Sequence, residues 1–123
     1  MSDICSEANK WIGVAYQLGG NTKSGVDCSH LVHQVFKGCN KSYNYTTTGA
    51  WPPKEFRVIP KSDVQPGDVV KFAGHVGIMI SQNEMISAES GSQNNPGAVK
   101  KSSVGPNTYW GKTATVGNYY RYQ

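Results

Sequence analysis

The spacing of apolar residues changes from a helical period to a strand period about halfway along the chain. Close to the N-terminus, apolar residues recur three or four positions apart from Ile4 to Ala15, which predicts a helix that runs through about Tyr16. A second apolar stripe, at residues 31–36, predicts a helix that carries Cys28 near its start. Two helices should therefore lie in the first third of the chain, joined by a polar, Gly-rich loop.

The second half of the chain shows the alternation of β-strands. Three successive strands are predicted at residues 69–72, 76–80 and 84–89, with a hairpin turn at Gln82-Asn83. Further strand candidates are residues 98–100, Tyr109-Trp110 and residues 116–122. Helices followed by strands predict an α+β fold, in which N-terminal helices pack on an antiparallel sheet. The whole chain, residues 1–123, is predicted to form one domain.

Composition and charge narrow the class of protein. The formal net charge of +4 is modest and no basic helix or stripe accompanies it, so nucleic acid is not a predicted partner. No run approaches the roughly 18 apolar residues of a membrane span, and the first residues lack the basic and apolar regions of an ordinary signal peptide. We expect a globular monomer that does not enter a membrane.

Three cysteines are an odd number, so at least one thiol has no disulfide partner within a monomer. Cys5 and Cys39 either form a disulfide or stay reduced, and the reduced state is preferred here. Cys28 differs because it stands between Asp27 and Ser29 at a predicted helix start. There the unpaired N–H groups and the helix dipole favour a thiolate, the form of cysteine that acts as a nucleophile. A packed core thiol is the alternative for Cys28.

Four short motifs are similar, in order and spacing, to the signature of NlpC/P60 cysteine peptidases. They are residues 16–20 (YQLGG), 27–29 (DCS), 65–68 (QPGD) and 74–78 (GHVGI), and the ending at residues 119–122 (YYRY) resembles the last strand of that family. The resemblance covers nearly the whole chain and implies a papain-like fold that hydrolyses bacterial cell-wall peptides. By this resemblance Cys28 is the nucleophile, and His75 is the general base and later the acid.

The third member of the expected triad departs from the family pattern. The family has a His, Asn or Gln about twelve residues past the base, and here that position is Ser87. A Ser hydroxyl can accept a hydrogen bond from the far ring nitrogen of His75, although more weakly than an amide does. Glu89 is chemically the better orienting group and shares a strand face with Ser87. Ser87, Glu89 and a backbone carbonyl stay open as the group that orients the imidazole.

The resemblance also implies which residues line the substrate cleft. Tyr16 matches the active-site tyrosine of the family, and its hydroxyl is expected near the oxyanion, together with the N–H of Cys28. A helix-end aromatic that packs on the Gly-rich loop is the alternative for Tyr16. Asp27 and Ser29 match the residues with which some members hold the free amine of a stem peptide. Trp51 either stacks on sugar or peptide, or anchors its own Pro-flanked loop.

His30 stands where family members usually carry a Gly after the DCS motif, so either the pocket is narrowed or the helix packs differently. His30 and His33, together with Cys28, make only a weak metal-ligand pattern, because no second pair of ligands accompanies them. No metal and no organic cofactor is predicted.

The predicted activity is hydrolysis of an amide bond in peptidoglycan stem peptides, and the resemblance favours the D-glutamyl–diaminopimelate bond. Two alternatives stay open, a Cys-His acyl transfer or deamidation on a protein, and a degenerate module that only binds the cell wall. Since no ordinary signal peptide is visible, we expect delivery to the cell wall or periplasm, as a type VI secretion effector or a phage lysis enzyme. A delivered toxin implies a cognate immunity protein as a further partner.

Overall fold

The computed structural model describes residues 2–72, 74–90, 97–105 and 116–123. Two α-helices lie in the first third of the chain, α1 (Ser2–Asn9) and α2 (Cys28–Gly38). The loop between them contains a small antiparallel hairpin, β1 (Asn21–Thr22) and β2 (Gly25–Val26). The second helix thus begins and ends where the sequence pattern indicates, and the Gly-rich segment before it is not helical.

Among the described residues, six strands follow α2: β3 (Phe56–Ile59), β4 (Val69–Phe72), β5 (His75–Met79), β6 (Glu84–Glu89), β7 (Ala98–Ser103) and β8 (Val116–Tyr122). In the described part of the chain they form an antiparallel sheet in the order β3-β8-β4-β5-β6-β7. This architecture confirms the predicted α+β fold. The strand β3 was not predicted as a separate element, and the candidate strand Tyr109-Trp110 lies outside the described residues.

The prediction that the first helix runs to Tyr16 is wrong, because α1 ends at Asn9. Gly13 has a φ of 95°, a left-handed conformation that glycine adopts without strain. Its N–H donates to the carbonyl of Val99, and the N–H of Val99 donates to the carbonyl of Val14, both at 2.9 Å. The segment after α1 therefore runs alongside the edge strand β7 and satisfies backbone groups that a continued helix would leave to solvent.

The apolar stripe of α2 packs against one face of the sheet. The buried residues of this interface are Leu31, Val32, Val35 and Phe36 from the helix, and Val69, Val76, Ile78, Ile86 and Ala88 from the sheet. A second group of buried side chains belongs to other positions of the same strands, and it contains Val70, Phe72, Met79, Met85 and Tyr119 together with Ile59, Val64 and Val104. The helix is therefore held along its length by sheet residues, which fixes the position of its N-terminal end.

A buried carboxylate ties β8 to the turn before β4. Asp68 is 3% exposed, and Arg121 donates to it from Nε at 2.9 Å and from Nη2 at 2.8 Å. The N–H of Gln65 donates to the same carboxylate at 2.8 Å, which closes the turn. These hydrogen bonds, chiefly the one to Asp68, raise the pKa of the Arg121 guanidinium, so that this side chain stays charged.

Replacing Arg121 by Ala should lower the free energy of unfolding by about 3 kcal/mol, because the buried Asp68 carboxylate loses its charged partner. Denaturant unfolding followed by tryptophan fluorescence measures the loss. Arg57→Ala is the matched control, since Arg57 lies opposite Arg121 in the β3–β8 ladder but is exposed. Removal of the Arg57 side chain should change the free energy of unfolding by less than about 0.5 kcal/mol. Equal losses in the two variants would contradict the role given to this ion pair.

Candidate active site

Cys28, the predicted nucleophile, lies at the start of a helix. It is the first residue of α2 and is 8% exposed. Its Sγ lies 3.3 Å from Oγ1 of Thr48, which opens the short 3₁₀ helix Thr48–Ala50, and either atom can be the donor. Thr48 is not among the residues predicted for the site, since it lies in a polar loop without a motif. The thiol therefore stands in a largely buried, polar environment at the positive end of the helix dipole.

The carboxylate of Asp27 organises the backbone around the thiol. Its Oδ2 accepts from the N–H of Gly19 at 2.9 Å, and its Oδ1 accepts from the N–H of His30 at 2.9 Å. Oδ1 also lies 2.8 Å from Nδ1 of the His30 ring and accepts from the hydroxyl of Ser29 at 3.2 Å. Asp27 thus joins the Gly-rich loop to the first turn of α2.

These contacts also set the charge of Asp27. The residue is 7% exposed, and its burial acts to raise the pKa of the carboxyl. Hydrogen bonds from the N–H groups of His30 and Gly19, and from the His30 ring, outweigh burial and bring that pKa below its ordinary value. The carboxylate is therefore ionised at neutral pH. Both of its oxygens already accept hydrogen bonds within the chain, which limits its capacity for the substrate amine predicted to bind there.

Tyr45 covers the side chains that follow the thiol in the sequence. Its Oη lies 2.6 Å from Oγ of Ser29, and its ring stacks on that of His30 with 4.1 Å between centroids. Burial raises the pKa of the Tyr45 phenol, and the charges of Asp27 and Cys28 raise it further. Tyr45 is a second site residue without a sequence signal, because only the path of the loop after α2 brings it to the helix start.

Tyr16 lies close to the residues that open α2. It forms an isolated β-bridge with Val26, next to the residues that open α2. Burial raises the pKa of its phenol, and the charges of Cys28 and Asp27 add to the increase. The hydroxyl therefore stays protonated at neutral pH and is close enough to Cys28 to sense its charge. This arrangement suits a hydrogen-bond donor to an oxyanion.

His75 opens β5, the strand whose next residue, Val76, belongs to the same buried cluster as Cys28. Its ring is 6.1 Å from that of Phe72, its partner in the β4–β5 ladder. Burial lowers the pKa of the imidazole to about 4, so the ring is neutral at neutral pH. Among the described residues no hydrogen bond joins Cys28 to His75, and the hydrogen bond of the thiol is the one to Thr48.

Ser87 and Glu89, the two candidates for orienting the imidazole, are joined to each other. The hydroxyl of Ser87, which is fully buried, donates to the Glu89 carboxylate at 2.9 Å. Ser102 also donates to that carboxylate, and Lys100 forms an ion pair with it at 3.7 Å. Since the Ser87 hydroxyl proton is already used, this oxygen can take part in a further hydrogen bond only as an acceptor.

Trp51 is a core residue, 4% exposed, and not an exposed ring over the cleft. Its ring packs on Phe56 at 4.7 Å, on Tyr43 at 5.8 Å and on Tyr120 at 6.0 Å between centroids. Of the two predictions for Trp51, the structure therefore favours the anchoring of its loop, and in this conformation the ring is not available to stack on a substrate.

The remaining candidates for chemistry lie apart from the thiol. The ring of His33 is 3.0 Å from the carbonyl of Tyr43 and packs against Tyr43 and Tyr45. Within the described residues no group of three or more His, Cys, Asp or Glu side chains is placed to hold a metal ion.

The three cysteines are thiols, and burial raises the pKa of Cys5, whose Sγ lies 3.8 Å from the carbonyl of Met79. No helix of the described chain has the length and apolar character needed to cross a membrane.

The sequence matches a family model described as the NlpC/P60 family over residues 13–117. It is 32% identical over 114 residues to a probable endopeptidase NlpC homolog of Haemophilus influenzae, a match that covers 91% of this chain and 58% of the relative. It is 33% identical over 102 residues to the murein DD-endopeptidase MepS/murein LD-carboxypeptidase of Escherichia coli, covering 74% of this chain and 50% of the relative. The chain spans about half the length of these curated relatives.

Solved structures share the fold. The NlpC/p60 domain of the peptidoglycan hydrolase SagA superposes with a TM-score of 0.72 at 24% identity, covering 98% of this chain and 97% of that domain. A protein of Staphylococcus aureus described as similar to lipoprotein, NLP/P60 family, superposes with a TM-score of 0.73 at 21% identity, covering 98% of this chain and 40% of the other. At these identities the likeness establishes the architecture alone.

The burial of His75 predicts a stability that falls on acidification. The unfolded imidazole has a pKa of 6.5 and the folded one about 4, so the unfolded chain binds the extra proton between these values. The contribution of His75 should therefore be lost as pH falls from 6.5 to about 4, by on the order of 3 kcal/mol.

The measurement is denaturant unfolding of the wild type and of His75→Gln across this pH range. Groups that titrate in both proteins cancel in the difference between them. The difference in unfolding free energy should shrink or reverse as pH falls, because only the wild type carries the buried imidazole. A difference that stays constant with pH would show that the ring is not buried in its neutral form.

Proposed function

The chain belongs to the NlpC/P60 family, and on that premise we propose that it is a peptidoglycan endopeptidase in which Cys28 attacks an amide carbonyl of a stem peptide. The observation that supports this most directly is the position of the thiol, as the first residue of α2 between Tyr16 and Thr48. A core thiol has no need of such polar neighbours, whereas a nucleophile uses the helix dipole and nearby donors.

In the proposed reaction His75 is the general base. Its imidazole is neutral near pH 7 and can accept the proton of the Cys28 thiol as the sulfur bonds to the carbonyl carbon. The imidazolium then returns that proton to the leaving amine as the amide C–N bond breaks, which leaves an acyl-enzyme that water hydrolyses. Catalytic hydrogen bonds are often long in free enzymes and tighten when substrate binds, and we infer that a Cys28–His75 hydrogen bond forms at that stage.

The oxyanion would be held from two directions. The N–H groups of Cys28 and Ser29 lie in the first turn of α2, where no intrahelical acceptor exists for them. The protonated hydroxyl of Tyr16, which lies in the segment that bridges to Val26, is the other donor. For the orienting role we propose the joined pair of Ser87 and Glu89, in which the Ser87 oxygen accepts from the imidazole and donates to the carboxylate.

The D-glutamyl–diaminopimelate bond is the proposed scissile bond, on the basis of the family resemblance. The curated relatives support the wider class, since one is named a probable endopeptidase and another a murein DD-endopeptidase. Delivery by a secretion system or phage, and a cognate immunity protein, stay predictions, because no contact in the described chain bears on them.

Digestion of purified peptidoglycan, read by mass spectrometry of the released muropeptides, tests this function. The wild type should release fragments, and Cys28→Ala should lower their rate of formation by about a thousandfold or more, because the acyl-enzyme can no longer form. Cys5→Ala is the matched control, since Cys5 lies on α1 and contacts the carbonyl of Met79. This variant should keep the wild-type rate, and the fragment masses identify the bond that is cut.

Two outcomes would overturn the proposal. Equal digestion by the wild type and Cys28→Ala would show that Cys28 is not the nucleophile. Intact muropeptides, with Cys28 nevertheless reactive toward iodoacetamide, would favour a different acyl substrate, whereas an unreactive Cys28 would favour a module that only binds the cell wall.

A further inference from the structure

A buried negative charge directly precedes the proposed nucleophile. Asp27 is 7% exposed and is ionised at neutral pH through its hydrogen bonds. A carboxylate next to Cys28 disfavours a second negative charge there, so by itself it opposes formation of the thiolate. The charges of Asp27 and Cys28 both act to raise the pKa values of the Tyr16 and Tyr45 phenols. The carboxyl of Asp27 and the thiol of Cys28 therefore share one local environment.

The partners of Asp27 differ in whether they can carry a positive charge. The N–H groups of Gly19 and His30 and the hydroxyl of Ser29 are neutral donors. The ring of His30, with Nδ1 at 2.8 Å from Oδ1 of Asp27, becomes a full positive charge when it is protonated. In the described part of the chain, His30 is thus the partner of Asp27 that can neutralise it.

The His30 ring is held in this position. It stacks on Tyr45 with an interplanar angle of 15°, and Tyr45 is itself held by its contact with Ser29. The side chain of His30 is 19% exposed, so solvent only partly screens its contact with the Asp27 carboxylate.

Other titratable groups on the elements around this pair are Cys28 and His33 on α2, Tyr43 and Tyr45 from the following loop, and Tyr16 from the segment beside β2. The phenols have pKa values raised mainly by burial, so they are neutral at neutral pH. His33 is directed at the carbonyl of Tyr43. None of these groups provides Asp27 with a positive charge.

We propose that His30 is a positioning residue that neutralises Asp27 beside Cys28 and thereby favours the thiolate of the nucleophile. The inference rests on the role of Cys28 in the proposed function. It also gives a physical reason for a histidine at a position where the resemblance leads one to expect glycine. With His30 in place, the chain itself supplies the positive charge that would otherwise have to come from a substrate amine.

The test is the pH dependence of the alkylation of Cys28 by iodoacetamide, followed on the Cys28 peptide by mass spectrometry. In His30→Gln the carboxylate of Asp27 stays uncompensated, so alkylation near about pH 6 should be slower by about tenfold than in the wild type. At about pH 9 the rates should converge, because an imidazole is ordinarily neutral at that pH and the wild type then also lacks the compensating charge. A purely structural role of His30 would instead slow alkylation at every pH.

A second substitution separates charge from packing. Asn caps helices about as well as Asp, so Asp27→Asn keeps an acceptor for the N–H of His30 in the first turn of α2 while it removes the negative charge and the acceptor for the N–H of Gly19. In the double variant Asp27→Asn, His30→Gln, alkylation near about pH 6 should return to within about threefold of the wild-type rate. His33→Gln, on the same helix but without a contact to Asp27, should leave the profile unchanged.

The alkylation rates test the role of His30 directly. They do not depend on digestion of the cell wall, since alkylation needs no peptidoglycan. A His30→Gln profile that overlays the wild type, or a double variant as slow as His30→Gln, would overturn the role of His30. If His30→Gln does not fold, Asp27→Asn alone still tests the charge, and alkylation slower than in the wild type would contradict it. Failure of the proposed function would show instead as equal digestion by the wild type and Cys28→Ala.

Discussion

The capping of α2 by Asp27 is the interaction on which the candidate site depends. A buried helix start must find acceptors for its first N–H groups, and Asp27 accepts from His30 while its other oxygen holds the loop at Gly19. One side chain therefore fixes the helix, the Gly-rich loop and the thiol of Cys28 relative to each other. The sheet then sets where this unit lies, since α2 packs along β5 and β6.

The Asp27 carboxylate also places a negative charge next to Cys28, which disfavours a thiolate there. The surrounding residues differ in how they affect this charge. Burial keeps the phenols of Tyr16 and Tyr45 protonated, so that they add hydrogen-bond donors without adding negative charge. The hydroxyls of Ser29 and Thr48 are likewise neutral. The site thus contains many polar groups but few charges, and the compensation of Asp27 falls to His30. This distribution matters because charges interact strongly where solvent is largely excluded.

What the sequence predicts correctly here is local in origin, and what it misses depends on distant contacts. The apolar stripe of α2 and the alternation of β4 to β6 are read from neighbouring residues, and with them the place of Cys28. Thr48 reaches the thiol and Tyr45 reaches Ser29 through the loop after α2, in which Trp51 packs into the core. The end of α1 depends on β7, far away in the sequence, whose edge pairs with the segment after the helix.

The two imidazoles assigned to the site, those of His75 and His30, differ in their surroundings. His75 is buried and its pKa is lowered to about 4, so the ring carries no charge at neutral pH, as the proposed role of proton acceptor requires. His30 is partly exposed, and its Nδ1 lies 2.8 Å from a carboxylate oxygen of Asp27, where a protonated ring would face a negative charge. A single histidine cannot be both a neutral base and a positive neighbour at the same moment. The division between His75 and His30 would let the protein have both, with the proton acceptor on the sheet and the compensating charge on the helix.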